Sequence, residues 1–335
     1  MLEQLAPRYR VSIKTEIPSQ TFERLPDTCT ALHGKVDAGC IQKNFIEIDV
    51  ERSFQNLADF YSTRAERLAS ETQWLKENEI DLVLCDAASL PLKAGRQANL
   101  PALLVTNFTW HDIYSAFPNA DAHTHLLGYL QDEYASASRL ILPQCCVPNA
   151  IAVPKEEVGF ISLKGSDLRE RLERTLEVRL DNKTVVFIYL GLAESTQVQW
   201  QHLQQLTDCF FITRDPLPGS ACPENLAVLD ESFLFPDLIA SANVVLTKAG
   251  YATLATAFTH GKPVLSCARD DFCEFEAMKH FLETEQVGLI IPSEDFYTCR
   301  WGEWIQKANK IQVEGKVRLN GAAEIAQIVD RTLKK

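Results

Sequence analysis

Short apolar runs alternate with longer amphipathic stretches along most of the chain, the pattern of a parallel sheet covered by helices on both faces. In the first half, Arg10–Lys14 and Phe45–Val50 read as strands, and the run from Leu57 to Asn78 reads as one long helix. Asp81–Cys85 (DLVLC) is a short apolar run of buried-strand type. A helix near Pro91–Gln97 and a strand at Ala102–Thr106 complete a strand–helix–strand unit. Around Pro143–Pro154 the pattern lapses into irregular chain, and a charged helical segment follows at Asp167–Val178. Alternation then resumes with strands at Thr184–Leu190, Phe210–Thr213, Val244–Thr247, Pro263–Cys267 and Leu289–Ile291. Between them lie helices at Trp200–Thr207, Asp237–Ser241, Tyr251–Thr259 and Glu274–Thr284, and Ala322–Leu333 reads as a terminal amphipathic helix.

At 335 residues the chain is longer than one core usually supports, so the pattern divides into two α/β domains, 1–160 and 161–335. Its 45 carboxylates against 33 lysines and arginines, with no local basic stripe, argue against a nucleic-acid partner. No window approaches the length of an apolar membrane span, and the N-terminus lacks the basic-then-apolar order of a signal peptide; the expected location is cytoplasmic. The ten cysteines include no Cys-x-x-Cys pair, and Cys85, Cys209 and Cys267 sit in or beside strand-like runs. They read as reduced, mostly buried thiols rather than zinc ligands.

The stretch Val244–Cys267 carries the most chemistry, because it sets a small-residue turn between an apolar strand and a helix, and a second tight turn before the next strand. Lys248, Ala249 and Gly250 would bring backbone N–H groups and a cation to a helix N-terminus, which favours phosphate. Tyr251 opens that helix, Thr253 offers a hydroxyl in its first turn, and Gly261-Lys262-Pro263 ends it. An ordinary strand–turn–helix with a glycine cap has the same spacing.

This block resembles the donor-site signature of the GT-B glycosyltransferases, including the MurG-like and UDP-glucuronosyltransferase-like groups, at Gly250, Thr253, Gly261 and Pro263. With Asp81–Cys85, the run Thr106–Trp110, Trp74 and Arg269–Phe272, the chain from about Tyr9 onward is similar to the N-terminal, glycosyltransferase-like region of plant L-arabinokinases and their bacterial relatives. The resemblance implies two Rossmann-like domains facing a cleft: 1–160 on the acceptor side, 161–335 binding the nucleotide sugar. It also implies transfer of a sugar from a nucleotide diphosphate, with a UDP-sugar as the expected donor, no further cofactor and no metal. A non-catalytic nucleotide-sugar binder and a sugar-nucleotide epimerase share this architecture.

The sequence departs from that pattern in three places. The opening strand and Gly/His-rich loop are absent, so the first domain is expected to lack its first strand. Thr256 stands where the family places a ribose-binding glutamate. Gly191-Leu192 replaces the Gly-Gly turn after the first strand of the second domain. Donor-site candidates are therefore Gly191, Lys248, Gly250, Tyr251 and Thr253, with Asp270 and Asp271, which follow a strand at its C-terminal end, as ligands for sugar hydroxyls. Asp86, His111 and Asp112 follow two strands of the first domain and are candidates for the base that an inverting transfer needs, with helix caps and turn formers as the alternative reading. His123-x-His125 has metal-like spacing but no supporting Cys or carboxylate pattern, and reads as part of a helix face.

Overall fold

The computed structural model describes residues 1–18, 22, 25–191, 195–218, 222–269 and 272–334. The chain forms two compact units: Met1–Ile41, Asp49–Ile161 and Asn320–Lys335 make the first, and Gln42–Ile48 with Ser162–Leu319 make the second.

In the first unit a short helix α1 (Leu2–Leu5) precedes β1 (Val11–Thr15) and β2 (Cys29–His33), which pair in parallel as a two-stranded sheet. Two helices follow, α2 (Val50–Ser62) and α3 (Arg64–Glu77). Where the periodicity predicts one helix from Leu57, the chain starts seven residues earlier and breaks at Thr63, whose ψ of 24° leaves the helical region. The early start has a local cause: the Asp49 carboxylate accepts a hydrogen bond from the Arg52 N–H, and Phe54, Leu57, Phe60 and Tyr61 then fall on one buried face. The expected strand Phe45–Val50 therefore does not form.

A second, four-stranded parallel sheet has the order β3-β4-β5-β6, from β3 (Val83–Asp86), β4 (Ala102–Val105), β5 (Arg139–Pro143) and β6 (Lys155–Val158). Helices α4 (Leu90–Gln97), α5 (Trp110–Ser115) and α6 (Thr124–Tyr134) connect its strands. Sequence pattern alone misses β5 and β6; Lys155-Glu156-Glu157 is polar because β6 is an edge strand, of which only Val158 is buried. The terminal helix, Gly321–Leu333, belongs to this unit and not to the expected span 161–335. Its Ile325, Ile328 and Val329 pack with Leu103, Val105, Ile141 and Val158, and burial of that apolar face decides the assignment.

The second unit holds a six-stranded parallel sheet of order β12-β11-β10-β7-β8-β9. Its strands are β7 (Thr184–Tyr189), β8 (Cys209–Thr213), β9 (Leu226–Val228), β10 (Val244–Thr247), β11 (Val264–Cys267) and β12 (Gly288–Ile291). Helices α7 (Arg169–Leu176), α8 (Phe235–Ser241), α9 (Tyr251–Thr259), α10 (Cys273–Thr284), α11 (Ser293–Tyr297) and α12 (Gly302–Ala308) accompany it, while Trp200–Gln205 is a 3₁₀ turn. From β7 the chain winds outward through β8 and β9, then returns to β7's other side with β10 and winds the opposite way. The order thus reverses between β7 and β10, and open α/β sheets bind ligands outside the carboxyl ends of the strands at such a point.

The ten cysteines are free thiols. Cys85, Cys209, Cys267 and Cys299 are buried, Cys222 is exposed and the others lie between, so burial is less general than the sequence suggests. Burial pushes the Cys267 thiol up to about 12 and that of Cys209 up to about 11, which leaves both inert at neutral pH. Among the described residues no helix is long and apolar enough to cross a membrane.

Candidate functional site

The carboxyl ends of β7 and β10 bring together three residues that the sequence singles out. Gly191 follows β7 with φ +87°, a left-handed conformation suited to glycine. Lys248 follows β10, and its stem lies over Gly191: a Cβ at that position would stand 3.0 Å from Nζ and 3.1 Å from Cε. Gly250 is the N-cap of α9, with extended dihedrals and no side-chain cap, and a Cβ built on it would meet nothing within 4 Å. The N-terminus of α9 thus begins at a glycine with room beside its Cα and an ammonium nearby, and the positive end of a helix dipole next to a cation attracts an anion.

The strain of this turn falls on Ala249, not on a glycine. Ala249 has φ +57° and is buried, a conformation that costs a residue with a side chain roughly 1–2 kcal/mol. Burial lowers the pKa of Lys248, and the Arg269 guanidinium, itself 6% exposed and stacked 4.6 Å over the Phe272 ring, lowers it further. Two cations thus stand at the ends of adjacent strands, β10 and β11. The run Arg269–Phe272 carries part of the sequence resemblance, but no spacing pairs Arg269 with Lys248; only the adjacency of the strands brings the two together.

Tyr251 is half-buried at the first position of α9, and Thr253 is buried in the same turn with its N–H bonded to the Gly250 carbonyl at 3.1 Å. Thr256, in the position matched to a ribose-binding glutamate, is 1% exposed and donates its hydroxyl to the Ala252 carbonyl at 2.8 Å. That side chain serves its own helix. Asp270 and Asp271 lie outside the described residues.

In the first unit, Asp86 ends β3 and is followed by Ala87 at φ +58°. Solvent reaches the Asp86 side chain, yet protein surrounds most of it; burial raises its pKa above the ordinary carboxylate value and Asp37 raises it further. Burial also raises Asp37, against a hydrogen bond of 3.0 Å from the Trp110 indole N–H that favours its charged form. The Tyr134 hydroxyl links the two loops, donating to the Ala87 carbonyl at 2.6 Å and accepting from the Trp110 N–H at 3.0 Å.

His111 is half-buried in the first turn of α5. Asp112 is engaged in a capping box: its Oδ2 accepts from the Thr109 N–H at 3.1 Å and from the Thr109 hydroxyl at 2.6 Å. This carboxylate holds the start of α5, the helix-cap role that the sequence offers as the alternative. Of the pair with metal-like spacing, His123 lies flat on the Phe54 ring at 3.9 Å and His125 is exposed.

No protein-family profile matches the chain. An L-arabinokinase of Arabidopsis thaliana is 24% identical over 301 residues, 89% of this chain, and the chain spans 29% of that protein's length. Among solved structures, a glycotransferase of kitacinnamycin is similar over 98% of this chain and 93% of its own, with 13% identity and a TM-score of 0.67. The calicheamicin glycosyltransferase CalG4 is similar over 100% and 94%, with 16% identity and a TM-score of 0.66. MurG of Acinetobacter baumannii is similar over 96% and 99%, with 13% identity and a TM-score of 0.56. The fold of this chain is that of the GT-B glycosyltransferases.

Proposed function

We propose that this protein transfers a sugar from a nucleoside-diphosphate donor, UDP-linked in our reading, to the hydroxyl of an acceptor. The observation that carries the reading is the Lys248 ammonium laid over Gly191 beside the helix N-terminus at Gly250, where an added Cβ would meet nothing within 4 Å. A diphosphate placed there would meet the positive end of the α9 dipole and the charges of Lys248 and Arg269. Departure of the nucleotide concentrates negative charge on the leaving phosphate, so donors fixed in advance at that point favour the transition state over the ground state. Asp270 and Asp271, which follow β11 in sequence, are our candidates for the sugar hydroxyls.

Attack by an acceptor hydroxyl requires a base, and Asp86 is our first choice, with His111 second. A raised pKa makes Asp86 a stronger proton acceptor than an ordinary carboxylate while leaving it ionised above that pKa. Free thiols and an acidic surface suit the cytoplasm and disfavour nucleic acid as a partner.

A non-catalytic nucleotide-sugar binder is the second reading, favoured by the commitment of Asp112 to a helix cap and of Thr256 to its own helix. Incubation of the full chain with a panel of UDP- and other nucleoside-diphosphate sugars, followed by chromatography for released nucleotide, separates the two. Release of nucleotide supports transfer or hydrolysis. Saturable binding without release supports the binder, and an isomerised donor would point to an epimerase.

A further inference from the structure

Residues 42–48 lie in the amino-acid sequence between elements of the first unit but fold as part of the second. They form a tight hairpin: Gln42 and Ile48 make an antiparallel bridge, and the Lys43 N–H donates to the Glu47 carbonyl at 2.9 Å. The Asn44 side chain closes the tip by accepting from the Ile46 and Glu47 N–H groups at 2.9 and 2.8 Å. Phe45 anchors it. Its ring is 1% exposed and lies 5.9 Å from the Phe296 ring and 6.3 Å from that of Tyr297, inside the main core of the unit. At the neck of the hairpin the Gln42 side-chain carbonyl accepts a hydrogen bond from the Lys248 ammonium at 3.3 Å.

We propose that Gln42 is a positioning residue for donor binding, its carbonyl holding the Lys248 ammonium over Gly191 at the mouth of the turn that receives the diphosphate. The inference rests on the donor-site reading above and adds to it a residue from a remote stretch of sequence. A lysine stem has four rotatable carbons, so its charge is directed only if something fixes its end. The amide suits the task because it accepts a hydrogen bond without neutralising the ammonium. A carboxylate there would form an ion pair and oppose the diphosphate. The hydrogen bond also offsets the desolvation of Lys248, whose charge burial and Arg269 disfavour and which Cys267, Asp215 and Glu274 favour.

A double-mutant cycle on the full chain tests this, with UDP as the calorimetric probe and Gln42→Ala, Lys248→Met and their combination as the variants. Gln42→Ala should weaken UDP binding roughly 2- to 10-fold, the worth of one hydrogen bond, and should cost nothing further once Lys248 is methionine. Gln42→Glu should weaken it more than Gln42→Ala. An equal loss with and without Lys248, or no loss in the presence of Lys248, overturns the proposal. A second measurement does not depend on nucleotide: the pH profile of Lys248 acylation, read by mass spectrometry, should shift to lower pH in Gln42→Ala. If the native chain binds no UDP, the donor-site reading fails while this profile still decides the coupling, and an unshifted midpoint sinks it.

Discussion

Two strand-to-helix turns, β3–α4 in the first unit and β10–α9 in the second, share a left-handed alanine and differ in charge. Each leaves its strand through an alanine in the left-handed region, Ala87 at φ +58° and Ala249 at φ +57°, and each enters a helix whose N-cap makes no side-chain hydrogen bond. Beside that alanine the first turn presents a carboxylate, Asp86, and the second an ammonium, Lys248. Burial acts on both and in opposite senses, raising the pKa of the acid and lowering that of the base, because in each case it disfavours the charged form. The consequences differ. A carboxylate that holds its proton more tightly is a better proton acceptor once ionised, whereas an ammonium that loses its proton more easily is a weaker anchor for phosphate and gains from a neutral partner such as Gln42.

The largest effect should come from the acidic turn. Asp86→Asn should lower kcat for sugar transfer roughly 10²- to 10⁴-fold, the span of a lost general base, and leave UDP affinity unchanged. Unaltered kcat in a coupled nucleotide-release assay would give the base role to His111.

Next comes the basic turn, where Gly250→Val should weaken UDP binding about 10- to 100-fold, as a branched side chain forced into occupied space costs about 1–3 kcal/mol. Thermal stability of the unliganded variant should hardly change, since a Cβ at Gly250 meets nothing within 4 Å. Gly191→Val should lower both affinity and melting temperature, because φ +87° strains any side chain and the new atom would press on Lys248.

The pH dependence sharpens the contrast of signs. With Asp86 as base, kcat should rise as pH passes its raised pKa. Asp37→Asn, which removes a charge that raises it, should move that limb to lower pH. Stability carries the opposite slope: the folded chain binds these protons more tightly than the unfolded one, so stability should fall as pH rises from the ordinary carboxylate value through the raised one. On the alkaline side UDP affinity should decline below the pH expected of an ordinary lysine, since Lys248 gives up its charge early. A decline only above that pH would show that Lys248 is not the group that titrates.

The smallest effect tests the left-handed alanine that the two turns share. Ala87→Gly and Ala249→Gly should each relieve roughly 1–2 kcal/mol of left-handed strain and add about 0.5–1 kcal/mol of unfolded-state entropy, a net gain of up to about 1.5 kcal/mol in denaturant unfolding. Similar gains at both would match the nearly equal φ of the two alanines, and a loss at only one would separate them.

The βα alternation of the second unit was readable where its strands are buried on both faces and bounded by turn residues, as in β7, β8, β10 and β11, but not at the edge strand β9, which is buried only at Leu226. Val244–Thr247 and Tyr251–Thr259 have the bounds that their pattern predicts. The same logic overlooked β6, whose edge position leaves it polar, and ran Leu57–Asn78 together as one helix across Thr63.

By itself, then, the sequence determined the α/β class, the parallel sheets and the Lys248–Gly250 turn, because these follow from local periodicity and local turn chemistry. Only the tertiary structure decided that the hairpin at 42–48 folds into the second unit and the terminal helix into the first, that Arg269 stands near Lys248, and that Asp112 is a cap. Those outcomes depend on which apolar faces find burial together, Phe45 against Phe296 and Ile325 with Val105, and on contacts between positions about two hundred residues apart or more, such as Gln42 and Lys248, 206 apart. No local spacing encodes them.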